Sequence, residues 1–173
     1  MTQELIDLRN SIMEGRYTDA LAIVDELEGM SKQANLRNIQ SYLRILLIHL
    51  IKNQIEQRLT NSWAASIRNA IREIKAVNIK DNKKSYYINQ DEWETLIEEE
   101  VIEDAIADAS LEVLNGKYTR SQLSEMVDRQ HLVITATRFL ALTYTYSPKE
   151  LPAIMDNNLA QLAGGEDWIN RRN

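Results

Sequence analysis

The stretch "SYLRILLIHLIKNQIEQRL", residues 41–59, decides the fold class. Its middle, Tyr42 to Ile51, is apolar nearly all round. An amphipathic surface helix keeps one polar side. A helix without one is enclosed by others. The flanks are helical too. Upstream, Leu5, Leu8 and Ile12 fall at i, i+3 and i+7, followed by Leu21, Ile23, Val24, Leu27 and Met30. Downstream, Trp63, Ile67, Ala70, Ile71, Ile74 and Val77 make a second stripe. Trp93, Ile97, Val101 and Ala105 make a third. Only 5 Gly and 2 Pro interrupt the 173 residues. The β-branched cluster Val133–Thr137 has strand propensity but no second strand to pair with. The expectation is an all-α, single-domain bundle of six or seven helices.

Start and stop signals divide the chain. Gly15 ends a first helix and Thr18 caps a second; a third runs from about Ser31 to Leu59. Thr60, Asn61 or Ser62 opens the next. Asn89 or Asp91 opens an acidic helix that Asn115-Gly116 ends. Thr119 starts a pattern reaching Tyr146. "SPKE" (147–150) supplies Ser147 as N-cap and Pro148 at the first helical position, with Glu150 completing a capping box. "EGRYTDAL" (14–21) and "NGKYTRSQL" (115–123) read as the same helical joint used twice. Three regions are expected: a core over 1–112, further helices over 113–163 packed on the same domain, and a frayed tail over 164–173.

Composition narrows the function classes. There is no Cys, which removes thiol nucleophiles, Cys-based zinc sites and disulfides. Thr2, Gln3, Glu4 and Asp7 supply no signal-peptide pattern, and no apolar run approaches the ~20 residues of a membrane span. A soluble cytoplasmic protein is expected, with no membrane and no cofactor. Net charge is −6 but alternates: −5 over residues 1–29, +8 over 30–84, −10 over 85–115 and +1 over 116–173. Basic and acidic helices either neutralise each other in the bundle, or the basic stretch faces an anionic partner.

His49 stands in the oiliest part of the chain. A buried neutral imidazole must satisfy one donor and one acceptor. Glu26, expected on a neighbouring helix, is a candidate partner, and Lys52 shares the face of His49. Metal binding has little to draw on. A dimetal bundle centre wants two Glu-x-x-His motifs, and the only near match is Asp128-x-x-His131. No metal site is expected. The basic stripe Arg68, Arg72 and Lys75, continued by Lys83 and Lys84, has the clustering that phosphate contacts need, with Tyr86 and Tyr87 nearby for stacking. Neither a nucleophile elbow nor a glycine phosphate loop is present.

Two resemblances follow from these residues. Arg44-x-x-x-x-His49 is similar to the signature of HEPN-type ribonucleases, and implies an Arg and a His on a scissile phosphate at a dimer cleft. More extensively, "DELEGM" (25–30), "LLIHLIK" (46–52), "SW" (62–63) and "SIRNAIREI" (66–74) resemble the bacterial domain-of-unknown-function family number 29 in order and spacing. The resemblance covers roughly residues 1–112. It implies an all-helical fold and puts Glu26, His49, Lys52, Ser62, Trp63, Ser66 and Arg68 at the motif positions, with Glu26, His49, Lys52 and Trp63 as a structural polar cluster. It implies no activity. The leading expectation is a small interaction or regulatory module that binds a protein partner and does no catalysis. The alternative is a nucleic-acid binder through Arg68, Arg72, Lys75, Lys83 and Lys84, or a ribonuclease through Arg44 and His49. Homo-oligomerisation is left open.

Overall fold

A computed structural model describes residues 2–172. The chain is all-α; among the described residues there is no strand, only one isolated antiparallel bridge between Ile79 and Tyr86. Eight helices follow in order. They are α1 (Gln3–Met13), α2 (Tyr17–Glu56), α3 (Asn61–Asn78), α4 (93–110), α5 (Arg120–Met126), α6 (Arg129–Thr145), α7 (Leu151–Ala160) and α8 (Gly165–Arg172). α4 is composite: Trp93–Leu96 and Ile102–Ser110 are α-helical, and Ile97–Val101 between them forms a π-turn. No helix is long and apolar enough to cross a membrane.

The helix boundaries differ from the expected ones in three places, each for a physical reason. The expected break near Ser31 is absent. Gly29 sits in unbroken helix; an internal glycine costs about 1 kcal/mol but does not force a stop. The pattern from Thr119 to Tyr146 divides instead. Val127 and Asp128 leave helical geometry, and the Gln54 side chain holds them out of it. Gln54 donates to the Asp128 carbonyl at 3.1 Å and accepts from its N–H at 2.8 Å. The Asp128 carboxylate then caps α6 by accepting from the His131 N–H. Lastly, the expected frayed tail is helix α8. Trp168 is buried there and donates through Nε1 to Asn61 Oδ1 at 2.9 Å. Asn173 lies outside the described residues.

The chain forms two compact units, residues 1–37 and 38–173, and the division falls inside α2. In the first unit α1 ends in a Schellman turn. Gly15 has φ +74°, its N–H donates to the Ile12 carbonyl, and the Arg16 N–H donates to that of Ser11. α2 therefore starts at Tyr17, one residue before the expected Thr18 cap.

The second unit holds the main core. α2 contributes Ile39, Leu43, Leu46, Leu47 and Ile51, all fully buried. Residues 46–48 and 50–53 are all buried, so this part of α2 is enclosed on nearly every side, as its composition requires. α3 adds Ile67, Ala70, Ile71 and Ile74; α4 adds Trp93, Ile97 and Ile106; α6 adds Phe139 and Leu140. Capping is as expected at Thr60, which accepts from the Trp63 N–H, and at Thr119, which forms a capping box with Gln122. The Ser147 hydroxyl accepts from the Glu150 N–H at 3.3 Å, but only in a turn; α7 opens later than expected, at Leu151, with Pro152 in its first turn.

The α2–α3 turn is tied to the α7–α8 turn. Asn53, buried on α2, donates to the carbonyls of Arg58 (3.0 Å) and Ala163 (2.7 Å). Gly164 has φ +70°, and a Cβ there would stand 2.7 Å from the Arg58 Cα. Only glycine permits that approach.

Candidate functional site

The basic stripe on α3 opens onto a cavity of about 370 Å³ in the second unit. Arg68, Arg72 and Lys75 recur at i, i+4 and i+7, so helical geometry aligns them along one face. Facing them are apolar groups from distant sequence: Ile79 and Tyr86 beside the end of α3, and Leu151, Pro152 and Met155 on α7. Leu151 and Met155 are buried, which makes the floor dry and fixed.

The three cations differ in freedom. Lys75 Nζ donates to the Thr143 carbonyl at 2.6 Å, and its partial burial holds its pKa below the usual lysine value. Arg68 faces Asp156 at 3.7 Å, a loose pair that leaves Asp156 Oδ1 without a hydrogen bond. Arg72 is the most open; its side chain is 70 % exposed and lies near Asn69 and Glu73 on its own helix. Two of the three guanidinium and ammonium groups therefore keep donors for an incoming anion.

The Tyr86 wall is rigid for a reason that periodicity does not reveal. Tyr86 packs edge-to-face on Tyr144, with ring centroids 4.7 Å apart. Tyr144 Oη donates to the Ile88 carbonyl at 2.6 Å and accepts from Trp93 Nε1 at 2.7 Å and Asn78 Nδ2 at 3.1 Å. Asn78 in turn donates to the Ile88 carbonyl and accepts from its N–H at 2.8 Å. Burial, the leading cause, pushes the Tyr144 hydroxyl up to about 12.

Lys83 and Lys84 do not line this cavity. They sit on the 80–85 turn, where Lys83 has φ +56° and Asn82 Oδ1 accepts from the N–H groups of Lys84 and Ser85. The basic stretch 30–84 meets the acidic helix through α2, not through the α3 stripe. Among the described residues, the ion pairs of α4 and its end run to α2 and α6: Arg44–Asp108 at 3.4 Å, Lys52–Glu112 at 3.2 Å and Arg129–Glu103 at 2.6 Å.

The residues expected as a polar cluster are only partly assembled. Lys52 Nζ lies 4.9 Å from the Trp63 ring centroid, and Arg58 covers the same ring at 4.7 Å. His49, one turn before Lys52, uses Nδ1 on the Ile45 carbonyl at 2.8 Å. Burial is the main reason its pKa lies below the usual histidine value. Glu26 stands on the same helix as His49, not on a packed neighbour, and lines an acidic cleft of the first unit with Asp7, Glu14 and Asp19. Arg44 and His49 point about 140° apart around α2, as a spacing of five dictates. The Arg44 guanidinium is already held at Asp108. Among the described residues no three His, Asp or Glu side chains converge as a metal site, and the Asp128 carboxylate of the Asp128-x-x-His131 spacing is a helix cap.

The ordered motifs around His49, Lys52 and Trp63 now have their geometry. Residues 4–113 match the model of a family described as domain of unknown function DUF29. The chain belongs to the DUF29 family. The match covers α1 to α4, and with them Arg68, Arg72, Lys75 and Tyr86 of the cavity. The opposite wall, from Pro148 to Met155, lies beyond it. No curated protein and no solved structure matches the chain.

Sequence reasoning found the three cations of this DUF29 chain through their i, i+4, i+7 spacing. It missed Tyr86 as a wall, the α7 floor and the Asn78–Tyr144 lock. None of these has a local signal, because each is made by residues more than fifty positions apart or by a single buried amide.

Proposed function

We propose that this DUF29 chain is a non-catalytic helical interaction module, and that it binds a protein partner at the α3–α7 cavity. The occupant is a segment with an apolar anchor beside one or two carboxylates. One observation supports this above the others: Arg68, Arg72 and Lys75 stand in a row over an apolar floor. A purely anionic ligand would leave the floor unused, and a purely apolar one would leave the open Arg72 guanidinium unused.

The two parts divide the work. The anchor removes apolar surface from water, at roughly 25 cal/mol per Å². The half-exposed charges add modestly to affinity and mainly set orientation and association rate. Nucleic acid has less support. Lys75 is engaged at Thr143, Arg68 faces a carboxylate, and Lys83 and Lys84 sit outside the row.

The test is capture from native lysate by the wild type and two variants. Arg72→Glu reverses the most open charge, and Ala76→Glu places a carboxylate on an exposed lining position. The expected result is a protein captured by the wild type and lost by both variants, with helical content unchanged. The same proteins captured by all three, or nuclease-sensitive RNA in place of protein, would overturn the reading.

A further inference from the structure

A second cavity shares no residue with the first. It lies in the second unit between α6, the end of α2 and the α7–α8 turn, with a volume of about 140 Å³. At ~30 Å³ per water this is room for roughly four or five waters. His131, Thr135 and Arg138 recur at i, i+4 and i+7, so α6 turns all three towards this notch, and Gln161 stands at its rim.

Two of these side chains have no protein partner among the described residues. Thr135 is only 6 % exposed, yet no hydrogen-bond partner for its hydroxyl exists among the described residues. The other α6 threonines behave differently. Thr137, Thr143 and Thr145 each donate back to a carbonyl of their own helix. That local bond is the usual resting state of a helical threonine. Thr135 makes no such bond and lines the notch. Arg138 is an exposed cation at the mouth of the notch with no ion pair among the described residues; its guanidinium lies 5.7 Å from the Phe139 ring centroid. The notch therefore offers a guanidinium, a hydroxyl and an imidazole, with no lining carboxylate.

We infer that this notch binds a phosphate group. A guanidinium fork matches two phosphate oxygens, and the hydroxyl and imidazole can donate to a third and fourth. The volume suits the group itself, so any organic remainder stays outside. The inference is independent of the partner reading for the α3–α7 cavity.

The experiment is an amide-resolved NMR titration of the full chain with inorganic phosphate against chloride at constant ionic strength, repeated with O-phosphoserine. Saturable shifts centred on Thr135 and Ala163 are expected. Arg138→Gln should weaken binding about tenfold or more, and the near-isosteric Thr135→Val several-fold. Arg72→Glu, in the other cavity, should leave binding unchanged. Binding of both probes marks a phosphomonoester as an acceptable ligand, and binding of the inorganic ion alone marks free phosphate. Absence of saturable binding in the wild type, or equal binding by Arg138→Gln and Thr135→Val, would overturn the inference.

Discussion

His49, within α2, and Asn78, the last residue of α3, are both polar side chains turned into the protein, and their hydrogen bonds run in opposite directions. His49 turns back on its own helix, to the Ile45 carbonyl one turn away. Asn78 reaches outward, to both backbone groups of Ile88 and to Tyr144, 66 residues on. The first bond adds nothing to the joining of elements, because Ile45 and His49 are already fixed by α2. The second ties the end of α3 to the 79–88 connection and to α6. A buried polar group organises a fold when its partners come from elsewhere.

Substitutions can break this contrast. The largest effect is expected for Asn78→Ala, about 3 kcal/mol, because it leaves the buried Ile88 N–H without its acceptor and removes a donor from Tyr144. Urea denaturation measures it, and a loss no greater than that of His49→Ala would end the distinction. Asn53→Ala should follow at about 2 kcal/mol. Asn53 also bridges distant segments, donating to Arg58 and Ala163, but both acceptors belong to turns nearer water. His49→Ala should cost about 1 kcal/mol, mostly lost packing, since the Ile45 carbonyl keeps its place in the helix ladder. This is the low end of what a bond to a carboxylate on another helix would have implied.

Two pH responses sharpen the same comparison. Burial lowers the His49 pKa, so the unfolded chain takes up a proton first as pH falls below about 6.5. Stability from the neutral ring is present above that value and declines below it; in His49→Ala that part of the acid slope should vanish. Tyr144 runs the other way. Its hydroxyl is raised from about 10 to about 12, so the folded chain keeps the proton longer. Stability should fall as pH climbs through that window, and thermal melts of Tyr144→Phe should lose this component. Partial exposure makes this the smallest of the effects.

Much of the fold was legible because helices are local. The enclosed run of α2, the α3 stripe and the caps at Thr60 and Thr119 each rest on residues within a turn or two. The errors share one cause. Gly29 failed to break α2 because a weak local preference gives way in a long helix. Asp128 ended a helix because Gln54, 74 residues earlier, satisfies its backbone. Trp168 ordered the tail because Asn61 was there to receive its indole N–H. In the candidate sites the same division holds. Arg68, Arg72 and Lys75 announce themselves by spacing, and His131, Thr135 and Arg138 have that spacing too. The sequence flags only His131 among them, because a lone threonine or arginine on a helix is ordinary until its missing partner is seen.

By itself, the chain's sequence determined that it is helical, where most helices start, which faces are apolar and how charge alternates along it. Those properties come from side-chain periodicity and capping chemistry within a few residues. Only the tertiary structure decided which polar groups find partners, that the α3 basic stripe faces α7 instead of the acidic helix, and that Thr135 has no protein partner among the described residues. These depend on closing loops of fifty to a hundred residues, and a buried donor or acceptor is judged by what that closure brings within 3 Å.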